Sequence, residues 1–222
     1  MTRSLFTQTE LPFLLVFNNK EEAAYYLNDM EQLVGEKDVL FYPASFRRPY
    51  QIEETDNANV LLRARVLNPT NSRKKPAVMV TYPEALFEKV VTRKELDKNT
   101  LKVAVNDKIS IDFINEVLFE YEFKRVDFIT EPGEFSVRGG IVDVFSFSND
   151  NPYRIEFFGN EVESIRTFDV ATQLSIETKK KITIIPNVEN SFFQENRESF
   201  LNYVSPQTVI FIQNTELLLA DL

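Results

Sequence analysis

The chain has 222 residues, with 34 acidic against 25 basic side chains, a net charge of −9, and neither cysteine nor histidine. Without cysteine there is no disulfide and no thiolate metal site; without histidine there is no Ser-His-Asp triad and no imidazole ligand. The acidic balance argues against a general grip on nucleic acid. No apolar run approaches the roughly 20 residues of a membrane helix, so the expectation is a cytoplasmic protein of one large or two small domains.

Phe13 to Phe17 (FLLVF) is a short apolar run that reads as a buried strand. Lys20 to Val34 places apolar side chains at Ala23, Ala24, Leu27, Met30, Leu33 and Val34. Those spacings of three and four predict a helix, and Gly35 stops it. Asp38 to Tyr42 predicts a second strand, and Ser45 to Tyr50 (SFRRPY) a loop that mixes arginine with aromatics. Asp56 to Asn68 predicts a helix with Asp56 or Asn57 as N-cap. A basic link at Pro69 to Lys75, a third strand at Ala77 to Thr81 and a short helix at Glu84 to Val90 follow. Short apolar strands alternating with helices predict an α/β domain with a parallel, nucleotide-binding-like sheet.

Near Thr100 the pattern changes. Leu101, Val103 and Val105 alternate as in a strand, and Ser110 or Asp112 caps a helix running to about Tyr121. Strands are expected at Arg125 to Ile129, Glu134 to Phe147, Tyr153 to Phe158, Glu161 to Phe168 and Lys181 to Ile185, with no helix between them. This is an antiparallel α+β module. Arg197 to Tyr203 reads as helical, Val209 to Ile212 as a strand, and Thr215 to Leu222 as the start of a helix. The tail returns to the style of the first part. The expected organisation is residues 1–99 as the first part of the α/β domain, 100–187 as an inserted module, and 188–222 as the start of the second part, cut short.

A parallel sheet invites a search for a phosphate loop. The glycines are Gly35, Gly133, Gly139, Gly140 and Gly159, and none opens a G-x-x-x-x-G-K-[ST] pattern. The turn after the first strand is Asn18-Asn19-Lys20. The α/β domain therefore reads as a scaffold without catalytic equipment, and no cofactor is expected. The acid pairs Glu53-Glu54, Glu131 with Glu134, and Glu161 with Glu163 read as solvated surface. The basic runs Arg73 to Lys75 and Lys179 to Lys181 read as solvated loops in an acidic chain.

The most informative stretch is Gly133 to Asp169. Strand side chains alternate faces, so Tyr153, Ile155 and Phe157 belong to a core face while Arg154, Glu156 and Phe158 share the other. Gly159-Asn160 suits a two-residue turn. That register sets Phe158 opposite Glu161 and Glu156 opposite Glu163. Gly139-Gly140 reads as a bulge or kink that re-aims Arg138 toward the face of Arg154. Phe158 among charges either tucks under a neighbouring loop or anchors a partner. Aromatic and arginine side chains dominate interface hot spots, and each guanidinium suits a carboxylate. The implied partner presents acids beside an apolar pocket.

Phe135-Ser-Val-Arg138-Gly-Gly-Ile-Val-Asp143-Val-Phe145, followed by Tyr153-Arg-Ile-Glu-Phe-Phe158-Gly-Asn-Glu161-Val-Glu-Ser-Ile-Arg166-Thr-Phe168-Asp169, resembles the module shared by bacterial transcription-repair coupling factors and the excision-repair helicase subunit UvrB. Asp169 to Gln173 (DVATQ) and Ile185-Pro186 look like the coupling factors; a UvrB fragment, or a degenerate helicase half with residual nucleotide or DNA binding, is the alternative. The resemblance implies a module that binds UvrA, with contacts falling on Arg138, Arg154 and Phe158, and with Glu156 and Glu161 on the same face. It also implies that the α/β part is a degenerate helicase domain. ATP-dependent DNA translocation and contacts to RNA polymerase and DNA would then lie in segments outside this chain. Two positions depart from the pattern. Gly140 stands where UvrB usually has Asp, and Ser146 replaces a common Pro, which would loosen the following turn.

Overall fold

The computed structural model describes residues 9, 11–45, 57–68, 77–189, 193 and 196–220. Residues 46–50 of the SFRRPY loop, Glu53-Glu54, the Asp56 cap and the basic link at 69–75 lie outside them. The chain divides into two compact units, Met1–Arg93 with Ser191–Leu222, and Lys94–Asn190.

In the first unit, β1 (Phe13–Val16) is buried at all four positions, as a strand covered on both faces must be. Helix α1 (Lys20–Val34) begins where the Asn19 side chain accepts the Glu22 N–H at 2.9 Å, and ends at Gly35, whose φ of 103° few other residues tolerate. β2 (Val39–Phe41), α2 (Asn57–Leu67) and β3 (Val78–Thr81) follow. The short helix α3 spans Pro83–Phe87 and stops earlier than its apolar pattern suggested, because Glu88 turns extended. The Glu88 carboxylate is drawn inward by the fully buried Arg63 at 2.9 Å and by the Ser45 N–H. Lys89–Val91 then forms β4 instead of continuing the helix.

Helix α4 (Arg93–Lys98) leads into the second unit. There β5 (Leu101–Ala104) precedes α5 (Ile111–Glu120), which is capped by the Ser110 hydroxyl accepting the Phe113 N–H at 3.1 Å. Helix α5 buries Ile114 and Leu118, one turn apart, and its Phe119 meets Phe135 edge-on with ring centres 5.2 Å apart. Strands β6 (Lys124–Arg125), β7 (Glu134–Arg138), β8 (Ile141–Val144), β9 (Tyr153–Phe158), β10 (Glu161–Phe168) and β11 (Ser175–Thr178) form one sheet in the order β11-β10-β9-β8-β7-β6. All its neighbours are antiparallel except β6 and β7. β12 (Lys181–Ile184) pairs back onto β5, so the two ends of this unit lie side by side.

Several expectations are corrected here. The strand expected at Arg125 to Ile129 shrinks to Lys124–Arg125. Glu134, expected as solvated surface, is 7% exposed, and its carboxylate accepts the Thr130 and Glu131 N–H groups and the Thr130 hydroxyl, folding the chain back. The single strand expected from Glu134 to Phe147 is two strands, because Gly139-Gly140 is a hairpin turn and not a bulge. Arg138 pairs with Ile141 across it, and Gly139 sits at φ 59°. A Cβ at Gly140 would stand 3.0 Å from the Phe157 carbonyl oxygen, so β9 packs closely against this turn. Ser146 tightens what its lost proline was expected to loosen: its buried hydroxyl oxygen accepts the Ile185 N–H at 2.9 Å and the Ser148 N–H at 3.2 Å. β11 carried no alternation to reveal it, being exposed at every position.

The chain then returns to the first unit. Arg197–Ser199 is strand β13, antiparallel to β4, and only Phe200–Tyr203 coils, as a 3-10 turn. The helix expected over Arg197 to Tyr203 gives way because β4 offers a partner more than a hundred residues earlier in sequence. β14 (Val209–Ile212) and α6 (Thr215–Ala220) complete the described residues. The first unit's parallel sheet runs β14-β1-β3-β2.

Candidate protein-docking face

In the six-stranded sheet the faces separate cleanly. Val142, Ile155, Val162 and Ile165 are fully buried on the core side. The other side carries two rows across the strands. One reads Ser136, Asp143, Arg154, Arg166, Thr178; the next reads Arg138, Ile141, Glu156, Ser164. Phe158 and Glu161 face each other at the hairpin tip, where Gly159 supplies φ 62°.

The rows bring Arg138 and Arg154 together on Asp143. Arg154 donates from Nε to Oδ1 at 2.7 Å and from Nη2 to Oδ2 at 2.8 Å, while Arg138 donates from Nη2 to Oδ2 at 2.7 Å. Asp143 is 2% exposed, and a carboxylate that deep is tolerable only when paired and hydrogen-bonded. The acids expected to meet these arginines from a partner are thus met first by one from the chain itself. Hydrogen bonding to Asp143 holds the Arg154 guanidinium above its ordinary pKa, against the opposing effect of desolvation. Arg154 also lies 4.3 Å over the Phe168 ring and donates to Gln173 Oε1 at 3.1 Å. Arg138 lies 5.2 Å over the ring of Phe128, which is 65% exposed.

Glu156 does not face Glu163. A register shift between Val162 and Ser164 lets Glu163 bulge outward, and Ser164 takes its place opposite Glu156. The Ser164 hydroxyl donates to Glu156 at 2.6 Å, and Arg166 pairs with its other oxygen. Two like charges that would have repelled across the ladder are separated in this way. Glu156 is consequently tied within the sheet, whereas Glu161 is exposed at the tip. Phe158 is 80% exposed and tucks under no loop. The face thus combines a clamped cation pair with an uncovered aromatic ring.

Asp143, Arg166, Gln173 and Phe128 were not among the expected site residues. Asp143 and Arg166 stand inside the quoted motifs, and reading Gly139-Gly140 as a turn would have set Asp143 opposite Ser136, on the strand next to that of Arg138. Gln173 and Phe128 sit on loops, where alternation gives no signal. Among the described residues no cluster of acidic side chains could hold a metal ion, and no helix is long and apolar enough to cross a membrane.

Residues 101–189 match the family model described as the UvrB interaction domain. Over 189 residues, 85% of its length, the chain is 32% identical to a transcription-repair-coupling factor of Bacillus subtilis. The chain belongs to the transcription-repair-coupling factor family. It is also 29% identical over 82% of its length to the Rickettsia bellii coupling factor, and 28% identical over 69% of its length to that of Haemophilus influenzae. It spans 16% of the Bacillus and Rickettsia coupling factors and 13% of the Haemophilus one.

Proposed function

We propose that this chain is a recruitment region of a transcription-repair coupling factor, whose six-stranded sheet docks UvrA and so brings the excision machinery to a stalled RNA polymerase. The observation that carries this reading is Phe158, 80% exposed on the strand that also bears Arg154. An uncovered aromatic on the same sheet face as fixed cations has the composition of an interface hot spot. Arg138 and Phe158 are its direct contacts, with Glu161 at the rim and Arg154 and Glu156 ordering the face beneath. RNA polymerase, DNA and ATP-driven translocation belong to parts of the longer protein outside this chain, and the setting is the cytoplasm.

The first unit serves as a degenerate helicase-like scaffold, with the docking module inserted into it. Two pairings support the insertion: β5 with β12 closes the module's ends, and β4 with β13 joins the scaffold segments on either side. At the carboxyl end of β1, where a parallel sheet offers its ligand crevice, the Glu22 carboxylate accepts a bond from Asn18 Nδ2 at 2.9 Å. A negative charge in the first turn of α1 opposes a phosphate there. Calorimetric titration of this chain with UvrA tests the reading. Saturable binding is expected, lost or much weakened in Phe158→Ala, and no heat of binding for the wild type would overturn it.

A further inference from the structure

Asp143 does more than neutralise. Its carboxylate takes three N–H bonds from two guanidiniums, yet the two arginines differ in what they leave free. The Arg154 side chain is 15% exposed, and its Nε and Nη2 are committed to Asp143 and Gln173. The Arg138 side chain is 44% exposed and commits only Nη2. Asp143 restrains Arg138 through that bond, and the Phe128 ring lies against its guanidinium at 5.2 Å. Two guanidiniums and one carboxylate leave one net positive charge, and it is accessible at Arg138.

The DVATQ turn belongs to the same device. The Asp169 carboxylate accepts the Thr172 N–H and hydroxyl, both at 2.8 Å. Gln173 adopts φ 61°, uncommon for a side chain of its kind, and its amide donates to the Val170 carbonyl at 2.8 Å. These bonds fix Gln173 Oε1 at 3.1 Å from Arg154 Nη2.

We propose that Asp143 is a positioning residue of the docking face: it holds Arg154 as an internal strut and aims Arg138, the one cation that meets the partner, at a single carboxylate beside the apolar pocket that takes Phe158. This rests on the UvrA reading and specifies the chemistry of the UvrA surface. A preorganised guanidinium loses less freedom on pairing than a mobile one. The prediction has a sign that simple attraction lacks. Asp143→Asn raises the positive charge of the face by one, so bulk electrostatics alone would strengthen binding to an acidic partner. Positioning demands weaker binding.

A double-mutant cycle on the full chain, titrated with UvrA, decides between them. Arg138→Ala is expected to weaken binding roughly tenfold or more. Asp143→Asn should weaken it by a similar factor, and adding Arg138→Ala in that background should cost less than about threefold. Wild-type or tighter binding by Asp143→Asn overturns the inference, as does an unchanged cost of Arg138→Ala. If near-ultraviolet circular dichroism shows that Asp143→Asn does not fold, Asp143→Asn/Arg154→Gln serves as the background, since it keeps the net charge of the wild-type face and leaves Arg138 unclamped. The same small cost of Arg138→Ala is expected there, and a full cost overturns the inference. Wild-type binding with an unchanged Arg138 cost sinks the positioning role alone. Absence of wild-type binding sinks the docking reading and the positioning role with it.

Discussion

Phe158→Ala separates docking from folding. Phe158 is 80% exposed, so truncation removes almost no folded-state contact. Stability should stay within about 0.5 kcal/mol of wild type, as for other surface substitutions away from special features. A phenylalanine covers roughly 200 Å² when buried. With 80% of it open in the free chain, docking removes on the order of 160 Å² from water. At about 25 cal/mol per Å² that is ~4 kcal/mol, of which alanine retains about a third. The expected loss is therefore about 2–3 kcal/mol, a thirty- to hundredfold rise in Kd. Calorimetric titration with UvrA reads the affinity, and thermal melting of the free chain reads the fold. A Kd within threefold of wild type would refute the anchor role, and a melting temperature lowered by more than a few degrees would show that Phe158 supports the core instead.

Arg154→Ala should behave differently, because it strips the bidentate partner from buried Asp143 and uncovers Phe168; about 3 kcal/mol of stability should be lost, against less than about 1 for Arg138→Ala. Urea midpoints at unchanged slope measure both, and equal midpoints would contradict the strut assignment. Ser146→Ala leaves the Ile185 N–H without its acceptor in a buried site and should cost about 1–2 kcal/mol, seen as a lower melting temperature; an unchanged melt would mean that another acceptor replaces the hydroxyl. Burial, with Glu120 adding to it, pushes the Tyr121 hydroxyl from 10.0 up to about 12. A raised folded-state value means that the stabilisation is complete below pH 10.0 and is lost as pH rises through about 12. Phenolate absorbance during alkaline titration should show this tyrosine ionising late, and a normal titration would count against its burial.

Much of the fold is legible without coordinates because its signals are local. The spacing of Ala23, Leu27 and Met30 and the stop at Gly35 specify α1 from neighbouring residues alone, and the Asn19 cap found in the structure is local too. Alternation along Tyr153–Phe158 likewise separates the core side from the side carrying Arg154 and Phe158, and Gly159-Asn160 marks the turn. The errors lie where the partner is remote. β4 and β13 looked helical because each becomes a strand only by pairing across more than a hundred residues. β11 has no buried position and exists only because β10 presents an open edge.

The docking face divides in the same way. Sequence by itself set which side chains share a face, since the two-residue period of a strand is a property of the backbone. Only the tertiary structure decided what those side chains do to one another. The Gly139-Gly140 turn brings Asp143 within reach of Arg138, the pairing of β8 with β9 sets it opposite Arg154, and the bulge at Glu163 hands Glu156 to Ser164 and Arg166. A register shift of one residue changes every cross-strand neighbour beyond it, and that shift is settled by hydrogen bonding between strands, which no single strand encodes.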